Sequence, residues 1–154
     1  MKGLIQRVTQ AQVVVDGKLI AAIPAGLLLF LGVERTDSAG QVKELCQKIL
    51  SYRVFPDDAG RMNLSLKDTS GSLLVVPQFT LAADTRSGTR PGFSLAAAPE
   101  LADQLFQQFV VQAKLGLGEA QVQAGRFGAD MQVALTNDGP VTFMLTTRGA
   151  DIAA

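Results

Sequence analysis

The sequence predicts a single α+β domain in which mostly antiparallel, barrel-like β-sheet is combined with two helices. The chain has 154 residues, a length that suits one compact domain. Apolar residues make up 47% of it and charged residues 18%, which permits a sizeable core and argues against disorder. Strand-like and helix-like patterns follow one another irregularly, without an internal repeat or a low-complexity linker. Irregular order of this kind is typical of an α+β fold.

The N-terminal third reads as three strands. Residues 4–15 alternate loosely between apolar and polar and are rich in valine, which predicts a strand. Asp16 and Gly17 supply a hairpin turn, so residues 18–23 are the expected return strand. Residues 27–33 form a continuous apolar run, as expected for a strand that is buried on both faces.

A first helix is predicted after Ser38, which suits the N-cap position. Apolar residues then recur with helical spacing and form one stripe. They are Val42, Leu45, Cys46, Ile49 and Leu50. Cys46 lies within this stripe and is interpreted as an ordinary core residue, because unpaired cysteines are commonly buried.

A second helix is predicted from about Pro99, since proline suits the first turn of a helix. Gly116 and Gly118 are expected to end it. Its buried face is formed by five apolar residues, namely Leu101, Leu105, Phe106, Phe109 and Ala113.

Four more strands are predicted after residue 71. One covers residues 72–76, and three short ones cover 121–127, 131–135 and 141–145. Residues 137–140 are expected to form the turn between the last two. The domain is therefore expected to span residues 1–147, with 148–154 as a C-terminal tail.

Composition excludes several kinds of chemistry. The chain has no histidine, which removes Ser-His and Cys-His nucleophile pairs and the commonest general base at neutral pH. With one cysteine and no histidine, a zinc site is not expected, and no cofactor is expected either. The net charge of zero means that no global field attracts nucleic acid, so any RNA contact must be local.

Composition also bears on location. A single cysteine cannot form an internal disulfide, which fits a reducing compartment. No apolar run approaches the roughly 20 residues that cross a bilayer, and the first residues lack the apolar region of a signal peptide. We therefore expect a cytoplasmic protein without a membrane partner.

Two segments in the middle of the chain are candidates for function. Residues 77–81 place Pro77 in strand-like sequence, which indicates a strand end, an edge or a bulge, and bulges often re-aim the backbone near active sites. On pattern alone, an ordinary strand end with Thr80 as a β-branched residue is favoured. Residues 82–93 form a polar loop with two arginines that suit phosphate groups, although a plain solvated loop is the stronger interpretation.

Two further candidates lie near the C-terminus. In residues 125–131, Phe127 and Met131 have side chains that either stack on a base or belong to the core, and the sequence does not separate these alternatives. In residues 137–140, the Gly139–Pro140 pair reads as a turn, but such a pair can also adopt a cis bond.

In this order and spacing, these segments resemble the D-aminoacyl-tRNA deacylase family, and the resemblance covers nearly the whole chain. It begins at residues 4–8 and closes at residues 137–143. The other matching segments are residues 32–34, 52–55, 60–64, 78–85, 90–91 and 125–133. So many matches in register are highly specific.

The resemblance implies a homodimer with two active sites at the subunit interface. Gln78, Phe79 and Thr80 would line each pocket, and Gly139 and Pro140 would enter it from the partner subunit. The family's Gly-Pro bond is cis.

Arg7 matches the arginine that holds this bond in place. Phe127 and Met131 match positions near the terminal adenosine of the tRNA.

The implied reaction is hydrolysis of the ester that joins an amino acid to tRNA. Both main-chain carbonyls of the Gly-Pro pair would reject an L side chain, whereas D-aminoacyl and glycyl groups would be accepted. Backbone N–H groups of Phe79 and Thr80 are the candidate oxyanion donors. The 2′-hydroxyl of the terminal adenosine would assist the attacking water. A covalent role for Thr80 ranks second, because no base is evident near it.

One position departs from the family pattern, because Pro77 stands where the family usually has serine. Proline lacks both the hydroxyl and the backbone N–H. Together with the neutral net charge, it favours the main alternative, a non-catalytic RNA- or nucleotide-binding dimer on the same fold. A general esterase that cleaves D-amino acid esters lacking tRNA is the third reading.

Overall fold

The computed structural model describes residues 1–148, and its long N-terminal strand organises the sheet. Strand β1 (Lys2–Val15) pairs antiparallel with β2 (Lys18–Ile23) and β3 (Gly26–Gly32). It also pairs antiparallel with β8 (Gln132–Thr146). Because β3 and β8 both pair with the N-terminal half of β1, they lie on its opposite edges.

The predicted hairpin between the first two strands is confirmed. Asp16 and Gly17 have φ values of 51° and 75°. Positive φ at both central residues is what a two-residue type I′ turn requires, and the Asp-Gly sequence provides it at low cost.

The sheet is mixed, whereas the sequence predicted a mostly antiparallel one. Strand β3 pairs parallel with β6 (Ser72–Pro77), which pairs parallel with β7 (Val122–Ala124). Parallel neighbours need long crossovers, and the two helical regions of the chain supply them. The strand order is β2-β1-β3-β6-β7 with β8 on β1, and the sheet curls into a nearly closed barrel. Strands β4 (Phe55–Pro56) and β5 (Met62–Leu64) form a separate small ribbon.

The prediction of three short C-terminal strands was wrong. Strand β7 is short, and the other two predicted strands are parts of the single strand β8. The register along β1 moves from Val8 opposite Asn137 to Gln6 opposite Thr142. Between these two pairs β1 advances by two residues and β8 by five. The three extra residues of β8 form a bulge that does not end the strand. Pro140, which has no N–H to donate, is tolerated at such a bulge.

Both predicted helices are present, and a third, very short one accompanies them. Helix α1 (Ala39–Leu50) begins at the predicted N-cap Ser38, and α3 (Pro99–Leu117) is capped by Gly118. Gly116 lies inside α3 rather than beyond its end. Helix α2 (Leu66–Thr69) was not predicted, because four residues are too short to show a helical period.

The core has two layers, and β3 contributes to both. Leu27, Leu29 and Leu31 pack between the sheet and the helices α1 and α3, while Leu28 faces the barrel interior. This confirms the prediction of a strand buried on both faces. Cys46 is buried in the helical layer as predicted, and burial raises the pKa of its thiol to about 11. Residues 149–154, most of the predicted tail, lie outside the described residues.

Candidate functional site

A cavity of about 480 Å³ opens at the end of β6. Four of the eight predicted site residues line it together: Gln78, Phe79, Phe127 and Met131. The remaining lining residues are small or apolar: Val76, Pro77, Ala97, Pro99, Ala102, Gly128, Ala129 and Val133. The volume lies within the range that small-ligand sites usually have.

Pro77 accounts for the position of the cavity. Strands β6 and β7 pair as far as Val75 and Ala124, and the N–H of Gly125 donates to the Val75 carbonyl at 2.8 Å. The next bond of a parallel ladder would need an N–H at residue 77, which proline lacks. The hydrogen-bond ladder therefore stops after Val75 and Gly125. Beyond this point the segments that follow β6 and β7 separate, and the cavity lies between them. Pro77 is a strand end, one of the three alternatives that the sequence left open.

Gly125 lets the opposite wall approach closely. A Cβ atom at this position would lie 2.9 Å from the Met131 Sδ and 3.4 Å from the Pro77 Cδ. Met131 therefore packs directly over Gly125 and closes the floor of the cavity. The sequence placed Gly125 in a candidate segment but gave no indication of this packing.

Phe127 and Met131 have two surroundings at once, which is why the sequence could not separate a core role from a binding role. The Phe127 ring packs on the helical layer, with its centroid 6.3 Å from that of Phe106. Met131 packs on the barrel interior. Both side chains remain half-buried and turn part of their surface to the cavity.

Residues 78–82 leave the sheet through a short 3₁₀ helix, Phe79–Ala82. Phe79 and Thr80 occupy its first two positions, where backbone N–H groups have no intrahelical carbonyl to donate to. The Gln78 side-chain amide donates to the Thr80 hydroxyl oxygen. Thr80 is exposed and is not one of the residues that line the cavity. The helical turn was not predicted, since the pattern indicated only a strand end.

An exposed aromatic pair stands at the rim. Phe79 is 58% exposed and Phe93 42%, and their ring centroids are 5.1 Å apart. Phe93 belongs to the polar arginine loop, which is closed by two backbone hydrogen bonds between Asp84 and Gly92, of 2.7 and 3.1 Å. The loop is thus held against the cavity rim, which sequence reasoning did not foresee.

Arg86 pairs within the loop and does not reach outward. Its guanidinium donates to both carboxylate oxygens of Asp84, at 2.8 and 2.6 Å, and its backbone N–H donates to the same side chain. These bonds lower the pKa of Asp84 to about 2, so the carboxylate stays ionised at neutral pH.

The other predicted site residues form a second cluster, the Gly-Pro corner (Arg7, Asp138, Gly139, Pro140). The Gly139–Pro140 bond is cis. Arg7 is only 13% exposed; its Nε donates to the Asp138 carbonyl at 3.1 Å and its Nη1 to the Val54 carbonyl at 2.7 Å. The corner does not line the cavity. It lies six residues beyond Val133, a run of up to about 20 Å in an extended strand.

The corner is braced by residues that the sequence did not single out. The Asn137 side chain spans the bulge: its Oδ1 accepts from the Val141 N–H at 3.1 Å, and its Nδ2 donates to the Thr142 hydroxyl at 2.9 Å. Gln6 on β1 donates to the same hydroxyl at 3.2 Å. Asparagine side chains often form hydrogen bonds to nearby backbone groups in turns, and this preference was the sequence signal that could have identified Asn137.

Within residues 1–148, His, Cys, Asp and Glu side chains do not form any group of three or more that could hold a metal ion.

In the same part of the chain, no helix combines the length and the apolar character that crossing a membrane requires.

The fold is of the α+β class. It combines a nearly closed mixed barrel with helices on one face and a cavity where two parallel strands separate. Within this class, the chain belongs to the D-Tyr-tRNA(Tyr) deacylase family, whose model matches residues 4–146. The resemblance noted from the sequence is thereby confirmed.

Individual relatives agree with the family match. The chain is 68% identical over 145 residues to a D-aminoacyl-tRNA deacylase of Marinobacter nauticus, covering 94% of this chain and 93% of that protein. It is 57% identical over 148 residues to one of Janthinobacterium sp., covering 96% and 98%. The solved structure of a c-Myc DNA unwinding element binding protein superposes with a TM-score of 0.93 at 37% identity, covering 97% of this chain and 100% of that one.

Proposed function

We propose that the protein hydrolyses D-aminoacyl-tRNA to tRNA and a free D-amino acid, as an editing enzyme of translation in the cytoplasm. The observation that carries the proposal is the single cavity shared by Gln78, Phe79, Phe127 and Met131. Family membership names the reaction, and the cavity would hold the substrate next to backbone N–H groups that have no carbonyl partner within the 3₁₀ helix.

The terminal adenosine of the tRNA would occupy the apolar part of the cavity. Its base is flat and uncharged, and Phe127 and Met131 present an aromatic ring and a polarisable sulfur to it. The volume of about 480 Å³ is ample for a nucleoside. Aromatic stacking needs no net charge, which suits a protein whose net charge is zero.

The ester carbonyl would lie at the start of the 3₁₀ helix. The N–H groups of Phe79 and Thr80 are the first two of that helix and are available to an oxygen that gains negative charge during hydrolysis. One preorganised donor of this kind typically contributes about 3–4 kcal/mol to lowering the barrier. Gln78, the preceding residue, keeps the turn on the sheet because its N–H donates to the Leu31 carbonyl at 2.8 Å.

A water molecule, and not a protein side chain, would attack the ester. The chain has no histidine, and the Thr80 hydroxyl receives a hydrogen bond from the Gln78 amide, which cannot take its proton. Thr80 therefore lacks the base that an activated nucleophile needs. The 2′-hydroxyl of the terminal adenosine is the nearest group of the substrate that could orient the water.

Handedness would be read by the Gly-Pro corner of a second subunit. Within one chain the corner does not line the cavity; its residues 138–140 are exposed, and the Arg7 guanidinium donates to the Asp138 carbonyl. Among residues 1–148, β8 pairs only with β1, so its outer edge is open, and Phe143 and Met144 are exposed on it. Open strand edges with apolar side chains favour association with another copy.

In such a homodimer, the carbonyls of Gly139 and Pro140 would reach the Cα substituents of the bound aminoacyl group. An L side chain would collide with them, and a D side chain would point away. Glycine has no side chain to exclude, so glycyl-tRNA would also be hydrolysed.

A paired deacylation assay tests the proposal. The wild-type protein should release D-tyrosine and glycine from their tRNAs and leave L-tyrosyl-tRNA intact. Pro140→Ala should lower the ratio of D to L hydrolysis, while Pro24→Ala, at an exposed proline between β2 and β3, should not. Protection of D-tyrosyl-tRNA from spontaneous hydrolysis, without turnover, would instead indicate the non-catalytic binding dimer. Release of D-tyrosine from a simple ester lacking adenosine would indicate the general esterase.

A further inference from the structure

The exposed ring surfaces of the aromatic pair at the rim (Phe79 and Phe93) have no function in the steps above. Phe79 lines the cavity on one side and is 58% exposed on the other, so the pair begins at the cavity wall and extends outward. The planes of the two rings are tilted by 50° to each other. The two neighbouring phenylalanine rings therefore expose apolar surface at the mouth of the cavity.

The loop that carries Phe93 places positive charge beside these rings. Residues 85–92 are all exposed. Asp84 is the only acidic residue of the loop and is already bound by Arg86, whereas Arg90 forms no salt bridge within residues 1–148. At the far base of the loop, the Arg35 guanidinium donates to the Ser94 carbonyl at 3.2 Å and adds a further positive charge.

Exposed aromatic rings beside unneutralised arginine are the combination with which proteins hold single-stranded nucleic acid. Bases stack on the rings, and phosphates pair with the cations. The whole chain has zero net charge, so this excess of positive charge is a local feature.

We infer that Phe93 and Arg90 form a subsite for the nucleotides that precede the terminal adenosine of the tRNA, with a base stacked on the Phe93 ring and a phosphate held by Arg90. The inference rests on the proposed function, which seats that adenosine in the cavity. The RNA strand that leaves the cavity would pass Phe79 at the rim. The Phe93 ring is the neighbouring flat surface, because its centroid lies 5.1 Å from that of Phe79.

Two substrates separate this subsite from the catalytic cavity. D-tyrosyl-tRNA carries the preceding nucleotides, whereas the D-tyrosyl ester of adenosine carries only the terminal nucleoside. Phe93→Leu keeps apolar bulk but removes the flat face, and it should lower kcat/KM for D-tyrosyl-tRNA by at least about fivefold. Hydrolysis of the adenosine ester should change by less than about twofold, on the same scale of stacking effects.

Arg90→Ala tests the phosphate contact by its salt dependence. The slope of log Kd for deacylated tRNA against log salt concentration should be smaller by about 0.7 than in the wild type, as expected for one lost phosphate contact on a single strand. Arg61→Ala is the matched control, because Arg61 is also an exposed loop arginine and only its backbone groups form hydrogen bonds within residues 1–148. Its slope should equal that of the wild type.

The outcomes separate the two proposals. Equal losses on both substrates in Phe93→Leu, or an unchanged salt slope in Arg90→Ala, would overturn the subsite while wild-type turnover still supports the proposed function. A wild-type protein that hydrolyses neither substrate would refute the proposed function itself, and the subsite with it.

Discussion

The cavity end and the Gly-Pro corner differ in how they are held. The cavity is walled by apolar groups, and its rim residue Phe79 is largely exposed. The corner is fixed by hydrogen bonds from Arg7 to two main-chain carbonyls and from Asn137 across the bulge. An apolar wall suits a ligand that must enter and leave, whereas a network of polar contacts suits a group that must not move. Under the proposed function, the cavity would bind the substrate and the Gly-Pro corner would select its handedness.

The two regions also differ in completeness. The cavity contains the predicted binding residues but no part of the predicted selector. The corner is held by hydrogen bonds and exposes residues 138–140, but none of its residues lines the cavity. If the proposed dimer brings them together, each subunit supplies one half of each site. Mutations in the corner should then alter selectivity, and mutations in the cavity should alter substrate affinity.

Arg7→Ala is expected to have the largest effect. It removes the donors to the Asp138 and Val54 carbonyls, and hydrogen bonds from a charged group contribute about 1.5–3 kcal/mol each. The ratio of kcat/KM for D- over L-tyrosyl-tRNA should fall on the order of 100-fold. Arg7→Lys should be intermediate, because an ammonium group cannot reproduce both bonds of the planar fork. An unchanged ratio in Arg7→Ala would show that the corner does not select.

Phe127→Ala should act on affinity and leave selectivity alone. Loss of the ring removes the surface proposed for the adenine base, and stacking is worth about 1–3 kcal/mol per base, so KM for D-tyrosyl-tRNA should rise about 5- to 150-fold. Phe127→Leu is the control for packing against Phe106, because it keeps most of the buried apolar volume. A normal KM in Phe127→Ala with an altered D-to-L ratio would reverse the roles assigned to the two regions.

Asn137→Ala should weaken the corner more mildly. It removes the acceptor of the Val141 N–H and the donor to Thr142, and such neutral bonds contribute about 1 kcal/mol each. We expect a loss of about 1–2 kcal/mol in the free energy of unfolding, measured by urea denaturation. The D-to-L ratio should fall severalfold, less than in Arg7→Ala. Gln6→Ala is the graded control, because it removes only one hydrogen bond, the one to the Thr142 hydroxyl.

Sequence reasoning succeeded where a local pattern determines the structure. The Asp16–Gly17 turn, the Ser38 cap and the strand buried on both faces follow from backbone preferences and hydrophobic periodicity. It failed where distant segments decide. The parallel pairing of β3, β6 and β7 depends on crossovers, and the bulge at residues 137–142 depends on its partner β1.

The site shows the same division. The segments that contain Gln78, Phe79, Phe127 and Met131 could be singled out from the sequence, but their roles in a site came only from resemblance to a family. The pairing of Phe79 with Phe93 joins residues 14 positions apart through a loop whose course no periodicity reveals. The role of Pro77 is the reverse case: an absent N–H could be read from the sequence, but its effect, the end of the β6–β7 ladder, required the register.

Thr80→Val should have the smallest effect and tests the cavity side of the comparison most directly. The Thr80 hydroxyl lies outside the cavity lining and accepts a hydrogen bond from the Gln78 amide. Its removal therefore loses one exposed hydrogen bond, and it does not remove a nucleophile that a neighbouring base activates. Valine keeps the β-branched shape and the backbone N–H that is proposed to bind the oxyanion. The value of kcat for D-tyrosyl-tRNA should therefore stay within about threefold of the wild type, since an exposed neutral hydrogen bond is worth about 0.5 kcal/mol, the lower end of the usual range. A loss of several orders of magnitude, together with a burst of released tRNA in the wild type, would identify Thr80 as a covalent nucleophile.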